Sequence, residues 1–172
     1  MAEKINARLR VAKIEFATPI TNAAGYKTAS WTQQPYTLAD DEVAIRQEEG
    51  EEDPIHVHEV DAPIDVDFTA GKITLVGSFV EPSAAELKAL LGDQTSEGFD
   101  FAHPSKAVAL TKAIRLTTTA GKMILLPKAS GFVRFDLKFD AKGGRCKYPF
   151  KFTALSASTE WPVDIAYPTG AK

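Results

Sequence analysis

Two histidines one residue apart, His56 and His58, are the side chains in this sequence best suited to binding a metal ion. Alternate residues of a β-strand share a face, so these imidazoles could hold one ion, with Glu59 and Asp61 as neighbouring carboxylate ligands. A wider histidine motif is missing, since the only other histidine is His103. We therefore expect no bound metal and no other cofactor; His56 and His58 are the residues that would hold a metal.

Acidic residues are concentrated between Asp40 and Asp67, where twelve acids and one base give a formal charge of −11. The whole chain carries −3, so the remaining residues carry +8. The densest run, 48–53, lacks the alternating aspartates and the distal glutamate of a calcium-binding loop. A segment this acidic repels anions such as DNA and can pair with basic surface on the same molecule or on a neighbouring copy.

Motifs for catalysis are absent from the sequence, which has no Gly-x-Ser-x-Gly and no glycine-rich phosphate loop. A general acid and base need two distinct, partly buried environments, which a dense run of acids does not offer. We therefore expect that the protein is not an enzyme. The chain also lacks an apolar run of about 18 residues and an apolar signal segment, so we expect no membrane association and synthesis in a cytoplasm.

The elements that must position these residues are mostly strands. Apolar and polar residues alternate along Val133–Phe139 and Tyr148–Ala154, around a glycine-rich turn, which predicts a hairpin with one buried face. Pro149 cannot donate to a sheet, so we expect its strand to lie at an edge or to carry a bulge. Further strands are predicted at Lys72–Val80, in a hairpin of Val108–Leu116 and Met123–Leu126, and at Ala7–Phe16 with a bulge or bend near Ala12.

One short helix is indicated between Ser83 and Gly92. Ser83 and Glu86 fit a capping box, three leucines form an apolar stripe, and Gly92 suits a C-terminal stop. We expect this helix to cover one end or side of the sheet.

The acidic segment, residues 40–67, is predicted to form a long β-hairpin. Strand-like residues 43–47 lead in and residues 55–60 lead out. The tip is therefore expected at 48–54, where five carboxylates must be solvated or paired with bases.

A length of 172 residues suits a single domain. We predict one mainly β domain over residues 1–172, a β-sandwich or barrel with one short flanking α-helix and a long protruding β-hairpin. Residues 18–38 are expected to form a long loop and residues 156–172 a C-terminal arm. Trp161 and Tyr167 of this arm need a surface to pack on, either a neighbouring subunit or the chain's own sheet.

The order of elements from Asp67 to Leu155 resembles that of the tail tube proteins of long-tailed bacteriophages and related phage-derived particles. The matching parts are the strand 72–80, the short helix ending at Gly92, a polar loop, a hairpin and the phenylalanine-rich final hairpin. The resemblance implies a β-sandwich with one flanking helix, whose copies form hexameric rings that stack into a tube. Long hairpins from each subunit would join into a barrel with an acidic inner wall, which lets DNA pass without sticking.

For this chain, the resemblance implies a structural virion protein that is assembled in the bacterial host cytoplasm and resides in the virion tail. Its expected partners are further copies of itself, a tail terminator and tail tip or baseplate proteins, with DNA passing through without specific binding. Trp161 and Tyr167 would belong to an assembly arm. The acids expected to line the channel or to bridge rings are Glu48, Glu49, Glu51, Glu52, Asp53, Asp61, Asp65 and Asp67. If residues 51–53 lie at a loop tip that projects along the tube axis and contacts the next ring, Asp61, Asp65 and Asp67 are the better lumen candidates.

Three other functions remain open from the sequence. A different ring-forming virion protein, such as a tail terminator, a tail completion protein or a head decoration protein, would stop at one ring. A metal enzyme would use His56, His58 and a carboxylate. A soluble β-sandwich that binds a carbohydrate or another small ligand would be a monomer with an exposed aromatic platform, for which the candidates are Trp31, Tyr36, Trp161 and Tyr167.

Overall fold

The computed structural model describes residues 10–58, 60–94, 97–139 and 146–169. The chain is mainly β, with 47% of residues in strands and 8% in helices, which confirms the predicted fold class. The helices are α1 (Gly25–Thr28) and α2 (Ala84–Leu91). The strands are β1 (Val11–Ala17), β2 (Thr32–Gln33), β3 (Ala44–Gln47), β4 (Glu51–Val57), β5 (Val60–Thr69), β6 (Ile73–Val80), β7 (Leu110–Thr118), β8 (Met123–Val133), β9 (Asp136–Leu137) and β10 (Cys146–Ala154).

The main sheet is antiparallel and closes on itself. Strands β1, β7, β8, β10 and β6 are neighbours in that order, with β2 beside β1 at one edge and β3 beside β6 at the other. The segment that follows β2 joins the two edges. Gln34 N donates to Ile14 O of β1, and Val80 N of β6 donates to Tyr36 O, both at 2.8 Å. These bonds turn the sheet into a barrel.

Phenylalanines from three strands fill this barrel. Phe79 of β6 and Phe152 of β10 are fully buried. Phe16 of β1 packs edge-on to Phe152 with ring centroids 5.4 Å apart, and Phe79 lies 4.4 Å from Phe150. The β1 contact crosses the barrel interior, since β1 and β10 are not neighbours in the sheet. Aromatic burial of this kind supplies most of a small core's stabilisation.

The predicted helix is present as α2, and its capping box is formed. The Glu86 N–H donates to Ser83 Oγ at 3.3 Å, and Ser83 N donates to the Glu86 carboxylate at 2.7 Å. Leu90 and Leu91 are buried in the main core. Gly92 ends the helix with a φ of 83°, a conformation that favours glycine.

Strand β10 lies in the middle of the sheet, between β8 and β6. The prediction that Pro149 marks an edge strand or a bulge is therefore wrong, since Pro149 lies opposite Ser78 in an unshifted register. On the other side, Pro149 O accepts a hydrogen bond from Arg134 N at 2.8 Å, but the proline nitrogen cannot return one. One hydrogen bond of the ladder is therefore missing at the position between β8 and β9, and the sheet forms without it.

Several other local predictions are confirmed. Strand β6 lies within the predicted 72–80, and β7 and β8 form the expected hairpin, although β8 continues to Val133. The register between β1 and β7 shifts between Val11 and Lys13, at the expected bulge. The start of the predicted first strand, 7–9, lies outside the described residues.

The segment 18–38 is not a plain loop, because it contains α1 and β2. Its strand residues form where the backbone reaches the open edge of β1. The tail after β10 also returns to the sheet, where Leu125 and Ala166 exchange two backbone hydrogen bonds of 2.8 Å. A second hydrophobic cluster lies there, with Ala17, Ile20, Ala113 and Leu125 buried and Tyr26, Ala29, Trp31, Trp161 and Ala166 packed against them.

Candidate functional site

The acidic segment forms a two-stranded extension of the barrel, which we call the acidic ribbon (β4 and β5, Glu51–Thr69). It continues the pairing of β3 with β6. Gln47 lies opposite Ile73, and Glu51 lies opposite Thr69, four residues farther along each strand. The register is unchanged between the two ladders, so together they form one long hairpin. Nearly every residue of the ribbon is exposed.

Two glycines form the junction between the barrel and the acidic ribbon. A Cβ atom on Gly71 would lie 1.8 Å from the carbonyl oxygen of Glu48. One on Gly50 would lie 2.3 Å from the carbonyl oxygen of Thr69. Both clashes are with backbone atoms, which cannot move aside without displacing a strand. These two positions therefore require glycine for the ribbon to leave the barrel in this register.

The long hairpin predicted from the sequence is present, but the predicted position of its tip is wrong. The hairpin turns after β4 at His58, whereas residues 48–54 form the junction and the start of β4. Residues 44–47 pair with β6 and not with residues 55–60. The physical reason is burial, because Ile45 lies opposite Leu75 and packs against the main core.

The acidic ribbon has one acidic face and one apolar face, because opposed residues of an antiparallel pair share a face. The acidic face carries the opposed pairs Glu51 and Thr69, Asp53 and Asp67, and Ile55 and Asp65. The apolar face carries the opposed pairs Glu52 and Phe68, and Pro54 and Val66; nearer the turn the register shifts between Ile55 and Val57, so this pairing ends there.

The apolar face of the acidic ribbon lies open to solvent. Phe68 is 73% exposed, and Pro54 is exposed on the same face; nearer the turn, Ile64 and Val60 are exposed as well. Single exposed apolar residues are ordinary, but several on one face form a patch typical of protein contacts. This face was not predicted, although apolar residues alternate with aspartates from Ile64 to Phe68. That period of two was the available signal.

This geometry divides the acids predicted to act in the channel or between rings. Four of them, Glu51, Asp53, Asp65 and Asp67, share the acidic face, whereas Asp61 lies on β5 beyond the register shift. Glu52 lies on the apolar face, opposite Phe68. Glu48 and Glu49 precede β4, at the junction. In the described part of the chain, no ion pair involves a carboxylate of β4 or β5, so the acidic face presents its charge to solvent.

The two candidate metal ligands lie near the turn of the acidic ribbon. His56 is exposed on β4, and His58 is exposed in the turn. Glu59 lies outside the described residues. Among the residues that the structure does describe, no group of three or more His, Cys, Asp or Glu side chains could hold a metal ion.

At its other end, the barrel extends into a second ribbon, which we call the basic ribbon (residues 132–139 and 146–149). Six basic and two acidic residues lie between positions 132 and 151. The prediction that Phe135, Leu137 and Phe139 form a buried face with Val133 is wrong. Val133 is buried, but the other three are exposed, Phe139 by 88%. Phe135, Leu137 and Phe139 have the same alternation as Val133, but they lie beyond the end of the hydrophobic core. The turn predicted at 140–144 lies outside the described residues.

The two ribbons leave from opposite ends of β6. Ile73, at the start of β6, lies next to the glycine junction of the acidic ribbon. Val80, at the end of β6, lies opposite Lys147 of the basic ribbon. A strand rises about 3.3 Å per residue, which separates these two ends by about 23 Å.

A largely apolar cavity of about 350 Å³ opens beside the basic ribbon. Leu91 of α2 lines it from the core side, and Phe132 and Phe135 line it from the ribbon. His103 lies edge-on to Phe135 with ring centroids 5.0 Å apart. The guanidinium carbon of Arg134 lies 5.9 Å from the centre of the Phe132 ring. The cavity therefore joins an apolar lining to a cationic rim.

Within one copy, the acidic segment and the basic ribbon meet at Asp41. Its carboxylate accepts hydrogen bonds from Ser78 Oγ at 2.6 Å and from Lys147 Nζ at 2.9 Å. These bonds hold the pKa of Asp41 below its usual value, and the carboxylate in turn raises the pKa of Lys147. The start of the acidic segment is thus bound to its own barrel, whereas the acidic ribbon is not.

The aromatic residues outside the main core fall into two groups. The guanidinium carbon of Arg115 lies over the ring of Trp31, 4.4 Å from the ring centre. Trp161 packs in the same second hydrophobic cluster. Trp161 therefore packs on the chain's own sheet, one of the two surfaces expected for it. Tyr36 and Tyr167 are exposed. An assembly role for the arm stays a prediction.

Comparison with known proteins gives this chain no family. Neither a protein-family model nor a curated protein matches its sequence. Among the residues that the structure describes, no helix has the length and apolar character needed to cross a membrane. The function is therefore argued from the ribbons and the cavity.

Proposed function

We propose that this protein is a structural virion protein whose copies form stacked rings, most consistent with a phage tail tube. One observation carries the proposal: the acidic ribbon exposes an acidic face and an apolar face at the same time. A two-stranded hairpin is only marginally stable by itself in water and needs further strands or a covering layer. Assembly of copies supplies both.

The free edges of β4 and β5 support assembly in a ring. An uncovered strand edge presents unpaired N–H and C=O groups, which form hydrogen bonds with the edge of another strand. Ribbons paired side by side around a closed ring would leave no edge free. Their acidic faces would then lie together on one wall and their apolar faces on the other.

A wall built from the acidic faces suits a channel for DNA. Between Glu51 and Thr69 the sequence has seven acids and neither lysine nor arginine. Acidic side chains repeated around a ring would repel the phosphate backbone, so DNA would pass without adhering. The channel-facing acids would be those of the acidic face, Glu51, Asp53, Asp65 and Asp67.

The rest of the proposal follows from this role. The tube would be assembled in the bacterial host cytoplasm and would reside in the virion tail. Its partners would be copies of itself, a tail terminator at one end and tail tip or baseplate proteins at the other. No catalytic step and no cofactor belong to this function.

Negative-stain electron microscopy of the purified protein, over a range of protein and salt concentrations, tests the proposal. We expect tubes of stacked rings, since both free edges and both ribbons are present in every copy. Isolated rings at every concentration would favour a terminator, completion or decoration protein. A protein that stays monomeric throughout would contradict the proposal and favour a ligand-binding module.

A further inference from the structure

The cavity beside the basic ribbon combines an apolar lining with a positive charge at its rim. Its lining includes Leu91 and the exposed rings of Phe132 and Phe135. Arg134 stands at the rim and forms no ion pair with any residue that the structure describes. At about 350 Å³ the cavity is at the small end of the range of ligand sites, about 300–1,000 Å³, and admits an aromatic side chain.

The acidic ribbon presents the complementary pair of groups on its apolar face. Phe68 is the most exposed large apolar residue of that face, and Glu52 lies directly opposite it on β4. Opposed residues of this kind have Cβ atoms about 5 Å apart, so the ring and the carboxylate project together. An apolar ring beside an acid matches an apolar cavity beside Arg134.

A neighbouring copy supplies this ribbon more readily than the same copy does. The acidic ribbon and the cavity lie toward opposite ends of β6, separated by about 23 Å along the strand. If copies stack head to tail, the acidic ribbon of one copy meets the basic ribbon of the next. A contact between two different surfaces of this kind does not close on itself and repeats along a stack.

We propose that the cavity receives Phe68 from a second copy of this chain, while Glu52 of that copy pairs with Arg134 at the rim. The inference rests on the proposed function, because it requires stacked copies, and it names the side chains that join one ring to the next. The occupant is thus another molecule of the same chain and not a small ligand.

A charge exchange on the full-length chain tests this contact. Arg134→Glu alone and Glu52→Arg alone should each raise the protein concentration needed for sedimenting assemblies at least tenfold, because like charges then face each other. An equal mixture of the two variants should restore assembly, since each ribbon can then meet a cavity of opposite charge. Rescue in the mixture also shows that both variants are folded.

A matched pair of apolar substitutions tests the ring itself. Phe68→Ala should weaken assembly at least tenfold, whereas Ile55→Ala, which removes an exposed apolar residue from the acidic face, should not. If the wild-type chain forms tubes and neither charge variant changes them, the docking contact is wrong and the proposed function stands. Failure of the mixture to recover also overturns the contact. A wild-type chain that never assembles overturns both.

Discussion

The acidic ribbon and the basic ribbon both extend strands of the barrel beyond its core, and they differ in how they are joined to it. Strand β10 of the basic ribbon pairs with β8 and β6 and carries the buried Phe150 and Phe152 only a few residues farther on. Within the part of the chain that the structure describes, the strands of the acidic ribbon pair only with each other, beyond the junction at Gly50 and Gly71. The basic ribbon therefore shares the stability of the core, whereas the acidic ribbon is connected to it through that junction.

This difference shows that phase and burial are separate properties of a strand. Phe68 and Phe139 both occupy regular apolar positions, yet both are exposed because none of the residues that the structure describes forms a layer over them. Phe152 has the same side chain and is fully buried. Sequence pattern tells which residues share a face, whereas the position of the core decides whether that face is covered.

The largest expected effect separates a core phenylalanine from a ribbon phenylalanine. Phe152→Ala should lower the free energy of unfolding by about 3–5 kcal/mol, since it leaves a cavity among Phe16, Phe79 and Phe150. Phe68→Ala should change the stability of the monomer by less than about 0.5 kcal/mol. Urea unfolding of both variants at a concentration below assembly measures this. A similar loss in both would show that the acidic ribbon packs on its own barrel.

A glycine substitution in the barrel sheet should lower the stability of the whole domain, whereas one at the acidic ribbon should affect only that ribbon. A Cβ on Gly131 of β8 would lie 2.0 Å from the Lys151 carbonyl oxygen, inside the sheet, so Gly131→Ala should cost about 2–3 kcal/mol of global stability. Gly71→Ala makes a similar backbone clash, but at the junction of the acidic ribbon. It should speed amide hydrogen exchange in β4 and β5 while leaving the urea midpoint nearly unchanged.

An equal loss of stability in the two glycine variants would contradict the proposed difference between the acidic ribbon and the barrel sheet. If Gly71→Ala lowered the urea midpoint as much as Gly131→Ala does, the acidic ribbon would unfold together with the core. Hydrogen exchange of β7 and β8 in the Gly71→Ala variant serves as the control, because those strands should keep their protection.

Features that depend on neighbouring residues alone could be predicted from the sequence. The capping box of Ser83 and Glu86 and the bulge near Ala12 follow from local chemistry and local phase. The hairpin of β7 and β8 follows from alternation on both sides of a turn. The cap and the hairpin are present because their partners lie close by in the chain, whereas the bulge shows in the phase of β1 itself, although its partner strand is the distant β7.

Features that depend on distant partners could not be predicted in the same way. The hairpin tip was expected at the most charged residues, but Ile45 pairs with Leu75 and fixes a register that moves the turn to His58. From the sequence alone, Pro149 is typical of an edge strand. In the sheet, its missing N–H lies opposite Arg134, so only one hydrogen bond of the ladder is lost. The alternation of apolar residues along β5 is visible in the sequence. Which residues of β4 share a face with them follows only from the register between the two strands.

The smallest expected effect concerns the link between the acidic segment and the basic ribbon within one copy. Hydrogen bonds from Ser78 and Lys147 lower the pKa of Asp41 from its unfolded value of about 3.8. A lowered folded pKa gives stability that is present above pH 4 and is lost as the pH falls through the folded value. Lys147 has a raised pKa, so its contribution is lost only as the pH rises above about 10.5.

Asp41→Asn should therefore lower the urea midpoint slightly between pH 5 and pH 9, and its difference from the wild type should shrink below pH 4. Asp53→Asn is the matched control, since it removes a carboxylate from the acidic face of a ribbon that forms no ion pair in the described chain. It should leave the midpoint at pH 7 unchanged or raise it, because it relieves repulsion between neighbouring acids. A midpoint difference for Asp41→Asn that persists at pH 3 would mean that Asp41 acts through packing and not through its charge. The start of the acidic segment would then contact the basic ribbon through packing alone, and the contrast between this bound start and the free acidic ribbon would no longer be electrostatic.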